Sequence, residues 1–172
     1  MIGELLSRLT SRFTVGARQA VVASLEEASR LGHDSVGDED LLLGVLVSDE
    51  GVSSIAGEMG FRAKDVRGEL GRMFADSLAS IGIDYEEVRD QAGGNLRPEV
   101  SGSRRISFSP LAKKALEEAL KVAYELRSNE IRAEHVLLGV LRLENGRAVR
   151  VVENLGAEAS DLKERLATLG RG

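Results

Sequence analysis

The sequence predicts an all-α protein built from two copies of one helical unit, and three observations predict it. The chain repeats itself: Phe13-Thr14-Val15-Gly16-Ala17-Arg18 returns as Phe108-Ser109-Pro110-Leu111-Ala112-Lys113, and Leu42-Leu43-Gly44-Val45-Leu46 as Leu137-Leu138-Gly139-Val140-Leu141, both 95 positions later. Two prolines, 3 % aromatics and no tryptophan leave a core of leucine, valine and alanine, which suits helices better than a β-sandwich. Nineteen glycines break the chain into many short helices.

Taken in order, residues 3–12 form a short leading helix with Leu5, Leu6 and Leu9 on one face. Thr14 then stands at an N-cap position, and Ala17, Ala20, Val21, Ser24, Leu25, Ala28 and Leu31 recur at steps of three and four. This narrow stripe of small residues suits close packing, and it ends at Gly32-His33. The second copy has Ser109 as cap, Pro110 at the first helical position, and the stripe Ala112, Ala115, Leu116, Ala119, Leu120, Ala123 and Leu126. A second helix follows in each copy, with Asp38 as the expected cap of one and Ala133 at the matching position of the other. Alanine has no side-chain acceptor, so that end is expected to be weaker by about 1 kcal/mol. Gly44 and Gly139 fall mid-helix, where glycine costs about 1 kcal/mol relative to alanine, and close helix–helix approach is the expected reason. A third short helix runs from Gly51 to Gly60 and from Gly146 to Gly156; a fourth covers about 62–71 and 158–169.

Between the copies, Met59-Gly60-Phe61 with Asp65-Val66-Arg67 returns as Ile81-Gly82-Ile83 with Glu87-Val88-Arg89, and Gly71 as Gly93. The first unit is therefore expected to carry an extra helix pair over 72–93. The organisation is a first repeat over 1–92, a glycine-, serine- and proline-bearing linker over 93–107, and a second repeat over 108–172.

The formal charge is −5, which suits a cytoplasmic protein and argues against a non-specific nucleic-acid binder. No cysteine is present, which excludes disulfides and thiolate chemistry. No stretch approaches the roughly 18 apolar residues of a membrane span, and no signal-peptide run opens the chain. The phosphate-cradling Gly-x-x-x-x-Gly-Lys-Ser/Thr loop, the Gly-x-Gly-x-x-Gly fingerprint and the Gly-x-Ser-x-Gly nucleophile motif are all missing. His33 and His135 fall at non-equivalent places in the repeat, and no cysteine supports a zinc site, so no metal and no cofactor are expected. A hydrolase or transferase using one of these histidines is the rival class, and a nucleic-acid-binding regulator the third. Glu26-Glu27 and Glu117-Glu118 read as solvated helix surface, and Arg104-Arg105 as a solubilising pair. Asp38-Glu39-Asp40 favours the helix dipole. It also reads as an acidic rim for a partner's arginine or lysine side chains, with Glu39 and Glu134 as equivalents.

Phe13-Thr-x-x-Ala17, Leu31-Gly32-His33, Val36-Gly37-x-Glu39, Phe108-Ser-Pro-x-Ala112-Lys113, Ala133-Glu134-His135 and Leu155-Gly156-Ala157, with the two Leu-Leu-Gly-Val-Leu runs, together resemble the N-terminal domain of the Clp/Hsp100 unfoldases. The likeness is closest to the ClpC type and covers roughly 13–70 and 106–169. It implies a pseudo-twofold pair of four-helix repeats with no catalytic activity. It also implies a stand-alone Clp N-domain whose partners are Clp ATPase or protease components, adaptors, clients, or Clp-directed cyclic-peptide antibiotics. The function it implies is recruitment of, or competition for, clients and adaptors; an antibiotic-sequestering decoy and a holdase are the alternatives. The expected binding residues are Asp38, Glu39, Glu134, His135, Phe13 and Phe108. Glu39 and Glu134 match the glutamate of the family's Gly-Thr-Glu-His motif at its phosphoarginine pockets. Asp38 and Ala133 replace the threonine and Asp40 replaces the first histidine, so the resemblance implies impaired phosphoarginine binding in the first lobe and weak binding in the second.

Overall fold

Helix caps and glycines position every element in the computed structural model, which describes residues 11–87 and 106–169. The first half contains α1 (Val15–Arg30), β1 (Ser35–Val36), α2 (Asp38–Ser48), α3 (Glu50–Glu58) and α4 (Ala63–Ser80). The second contains β2 (Ser107–Phe108), α5 (Pro110–Glu125), α6 (Ala133–Leu141), α7 (Arg147–Asn154) and α8 (Ala159–Leu169). The architecture is all-α with duplicated four-helix repeats, as the sequence predicts. Thr14 and Ser109 cap α1 and α5, each hydroxyl accepting the N–H three residues on at 3.1 Å. Both helices end in a left-handed residue, Gly32 at φ 75° and, in the matching position, Arg127 at φ 57°. Arginine pays about 1 kcal/mol there that glycine avoids.

α2 and α6 form the centre. Every residue from Asp38 to Leu46 and from Ala133 to Leu141 is buried, and the two helices pack on each other. Each also lies against its own lobe's first helix with no side chain between. A Cβ on Gly44 would stand 2.7 Å from the Ser24 nitrogen, and one on Gly139 would stand 2.6 Å from the Ala119 nitrogen. The small-residue stripe and the mid-helix glycine are thus two sides of one contact, made twice.

The lobes are also joined by exchanged backbone. β1 of the first lobe pairs in parallel with β2 of the second, Val36 opposite Phe108. Phe13 of the first lobe forms a parallel bridge with Ile131 of the second. Adding 95 to Phe13 and Val36 gives Phe108 and Ile131, so the two pairings are one interaction related by the pseudo-twofold. The Ser109 N–H donates to the Val36 carbonyl at 2.8 Å, and the Thr14 N–H donates to the Ile131 carbonyl at 3.0 Å.

Four expectations need correction. The fourth helix of the first lobe does not stop at Gly71 but runs on to Ser80. A Cβ on Gly71 would meet nothing within 4 Å. Arg72 ties the turns on either side together, pairing with Glu69 three residues back and Asp76 four ahead. The first member of the expected extra pair is therefore the continuation of α4. The duplicated turn that follows is real: Gly60 and Gly82 both have positive φ, and the N–H of Phe61 and of Ile83 each reach a carbonyl five residues back. Ser107, placed in the linker by the sequence, belongs to β2. Glu27 is not solvated surface. It is buried and receives two bonds from Arg67 of α4, at 2.7 and 3.0 Å, which a helix-surface reading cannot foresee. Finally, α2 and α6 are capped neither by Asp38 nor at Ala133; their N-caps are Gly37 and Arg132. The leading helix up to residue 10, the linker residues 93–105 with Arg104-Arg105, and the end of the extra pair beyond residue 87 lie outside the described residues.

Candidate functional site

Two seams between the lobes gather the residues singled out by the sequence. In the first, α2 starts at Gly37, whose N–H donates to the Asp40 carboxylate at 2.9 Å. The same carboxylate pairs with His33 Nδ1 at 2.8 Å, and this contact, ahead of the opposing effect of burial, raises the histidine above its ordinary value. Asp38 turns away from its own helix. Its carboxylate accepts the N–H of Ala148 at 2.9 Å, in the first turn of α7 in the other lobe. The N-cap of α7 is Gly146, which has no side chain to offer and leaves room for that carboxylate. Glu39 lies between: its side chain is 7 % exposed, with Arg147 Nη1 at 3.5 Å and His33 Nδ1 at 4.0 Å. Burial first, then the neighbouring Asp40 and Asp38, push its carboxyl up to about 7.

The second seam uses other atoms in the same places. His135, equivalent to Asp40, is fully buried, and its Nδ1 accepts the Arg132 N–H at 3.0 Å. The acceptor role at Nδ1 puts the neutral ring's proton on Nε2, which is buried without a hydrogen-bond partner. Burial, reinforced by Arg132, holds this ring below the ordinary histidine value. Glu134 is buried and raised by burial and by Asp49, with Arg132 of its own lobe at 3.9 Å opposing. The third helix on this side, α3, is capped locally, Asp49 accepting the Val52 N–H at 2.9 Å.

Of the six expected residues, Asp38 and Glu39 meet at the first seam and Glu134 and His135 at the second. Phe108 and Phe13 are not displayed outward. They sit in the exchanged pairings beside Val36 and Ile131, just ahead of the two helix starts, with Phe13 buried and Phe108 half-buried. The sequence reading noted His33 without its pairing to Asp40, and it missed Arg147. The spacing of His33 from Asp40 carried a weak signal; Arg147 carried none, because only the fold brings it to Glu39. His33, Glu39 and Asp40 bring possible metal-ligating atoms within 4.8 Å of one another. Asp40 is already committed to a backbone N–H and to His33, and the positive end of α2 opposes a cation there.

Each lobe carries an open cleft, of about 700 Å³ in the first and 640 Å³ in the second. Equivalent residues line them, Leu46, Asp49 and Glu58 in one and Leu141, Glu144 and Glu153 in the other. No helix among the described residues is long and apolar enough to cross a membrane.

The model of the Clp repeat (R) N-terminal domain matches residues 71–155 and 107–170. The chloroplastic chaperone protein ClpC2 of Arabidopsis thaliana is 36 % identical over 156 residues, covering 90 % of this chain and 14 % of that protein. The chain thus spans about a seventh of the curated relatives it matches. The crystal structure of the N-terminal domain of ClpD from Arabidopsis thaliana superposes with a TM-score of 0.68 at 26 % identity, covering 94 % of this chain and 96 % of that one. A complex of the ClpV N-domain with a VipB peptide shares the fold at a TM-score of 0.52 and 20 % identity, covering 96 % of this chain and 91 % of that one. The family match, the sequence likeness and the shared fold agree, and the chain belongs to the Clp repeat N-terminal domain family.

Proposed function

We propose that this chain is a non-catalytic protein-binding module of Clp-type ATP-dependent proteolysis, recruiting clients and adaptors or competing for them. The observation that carries the reading is the pair of seams. Each lobe sets a buried glutamate at the start of its central helix, Glu39 with Arg147 of the other lobe at 3.5 Å and Glu134 with Arg132 of its own lobe at 3.9 Å. Such a carboxylate suits the guanidinium of a partner's arginine, which gives planar, two-pronged recognition. The relatives' names support the context, being chaperones and ATP-binding subunits of Clp protease, and the ClpV N-domain was solved with a bound peptide.

Phosphoarginine is the poorer ligand. Asp38 and Asp40 place two more carboxylates around Glu39, and His135 supplies no free donor at the second seam beyond its buried Nε2. Calorimetry with free phosphoarginine is expected to show no micromolar site; two such sites would overturn this part of the reading.

The function is tested with a reconstituted Clp ATPase and protease degrading an unfolded, arginine-rich model protein. Added chain is expected to bind the ATPase subunit or the model protein and to change the degradation rate, upward for a recruiter and downward for a competitor. Suppressed aggregation with an unchanged rate would mark a holdase. Tight binding of a Clp-directed cyclic peptide with no protein partner would mark a decoy. No binding to any of these would overturn the proposal.

A further inference from the structure

One peptide unit in each lobe is bonded on both sides. The Val36–Gly37 unit accepts the Ser109 N–H of the other lobe at its carbonyl, at 2.8 Å, and donates its own N–H to Asp40 at 2.9 Å. Its counterpart 95 positions on, the Ile131–Arg132 unit, accepts the Thr14 N–H of the other lobe at 3.0 Å and donates to His135 Nδ1 at 3.0 Å. Each unit joins a lobe-to-lobe pairing to the first turn of a central helix. The two differ in the acceptor inside that turn, a carboxylate in one and an imidazole in the other. A carboxylate accepts whenever it is ionised. An imidazole accepts at Nδ1 only as the neutral ring with its proton on Nε2. Protonation sets an N–H against the Arg132 N–H and a cation at the positive end of α6. It also charges a fully buried ring whose Nε2 has no hydrogen-bond partner.

We propose that the Ile131–Arg132 peptide is a proton-gated latch between the lobes: acid that charges His135 releases the Arg132 N–H and loosens the Thr14–Ile131 pairing, while the Val36–Ser109 pairing holds. Few groups stand ready to compensate the charge. Glu134, the next residue, has Arg132 at 3.9 Å. On the helices packed against α6, the buried ionisable side chains among the described residues are Glu27 of α1 and Asp38, Glu39 and Asp40 of α2. Glu27 is held by Arg67, Asp38 by the Ala148 N–H, and Asp40 by His33 and the Gly37 N–H, while Glu39 lies beside Arg147. α5, α7 and α8 bury no ionisable side chain. Burial first, then Arg132, hold the ring below its ordinary 6.5, against a smaller opposing pull from the Glu130 backbone. The folded ring takes a proton less readily than the unfolded one. The latch is therefore complete above 6.5 and is lost as pH falls through the folded value. At the first seam acid acts the other way, charging His33 and strengthening its bond to Asp40.

The test is a nitrogen-15 NMR pH titration of the whole chain. The ring nitrogens of His135 report its tautomer and midpoint. Hydrogen exchange at the Thr14 and Ser109 amides, corrected for intrinsic rate, reports the two pairings. The neutral ring is expected to carry its proton on Nε2 and to titrate below 6.5. Between 6.5 and that midpoint, protection at Thr14 is expected to fall relative to Ser109 by up to about tenfold per pH unit. In His135→Asn, isosteric with the Asp40 that makes this bond in the other lobe, an acceptor oxygen persists at every pH and the fall should vanish. A neutral ring protonated on Nδ1, or a midpoint at or above 6.5, would overturn the inference. So would equal losses at Thr14 and Ser109, or a fall that persists in His135→Asn. Should that variant not fold, the ring midpoint and the ratio of Thr14 to Ser109 protection in the wild type decide the matter alone.

Discussion

Asp49 and Asp38 do the same work from opposite places. Asp49 caps α3 from the residue preceding it, as local capping does everywhere, whereas α7 begins at a bare glycine and takes its acceptor from Asp38 of the other lobe. One third helix is self-sufficient and the other exists in this position only while the lobes are docked. Duplication has kept the helices, the glycine contacts and the exchanged strands, while the polar groups at the seams have diverged. Packing is shared by the copies, and charge distinguishes them.

The largest expected effect probes what the copies share. A methyl at Gly44 or Gly139 has nowhere to go, so Gly44→Ala and Gly139→Ala should each destabilise by about 3 kcal/mol in urea unfolding, equally within error. A large difference between them would break the equivalence of the two central contacts.

The next effect separates the seams. Glu39 titrates near 7 in the folded protein against an ordinary 4.5. Between those values the folded state keeps a proton the unfolded chain has lost, so stability falls as pH rises through that window, by at most about 3 kcal/mol. His33 acts in the same direction. Its raised pKa gives stability that is complete below 6.5 and lost as pH rises through the folded value. Glu39→Gln should remove the first slope, keep the second, and be the more stable protein by about 2 kcal/mol at pH 8 with no gain at pH 4. Unfolding curves across that range check this, and a pH dependence unchanged by the substitution would contradict the burial of Glu39.

Asp38→Ala leaves the Ala148 N–H buried without an acceptor and should cost about 2 kcal/mol. Asp49→Ala loses a more accessible local cap and should cost about 1 kcal/mol. Asp38→Asn, which keeps an acceptor oxygen, should recover part of the loss. The reverse ranking would mean that α7 does not depend on the other lobe. Smallest, Thr14→Ala and Ser109→Ala should each cost about 1 kcal/mol by thermal or chemical unfolding, since both hydroxyls make the same 3.1 Å bond.

These contrasts also show where the sequence was informative. Features set by residues three or four apart could be read directly: the caps at Thr14 and Ser109, the alanine stripes, the helix ends at Gly32 and Gly60. Gly44 and Gly139 were legible too, because a glycine kept mid-helix in both copies, against its helix propensity, signals a backbone packed too close for a methyl. What escaped was every choice that depends on the opposite lobe. Asp38 occupies the place of a cap, and nothing local says that its carboxylate reaches Ala148, 110 positions away. The same holds for Arg147 at Glu39 and for Glu27 beneath Arg67. Two-residue strands carry no periodicity, so the exchange of Phe13 and Val36 for Phe108 and Ile131 was invisible, although the family resemblance had marked both phenylalanines. Gly71 misled in the opposite direction, since an exposed helix tolerates a glycine that ion pairs on either side hold in place.

The most direct test of the interlocked pair is hydrogen exchange read separately in the two halves across a urea series. If the lobes are joined by reciprocal strands and a shared helix cap, amides of α2 and of α6 open with one free energy and one urea dependence. A first lobe that opens while α6 stays protected, or the reverse, would contradict it.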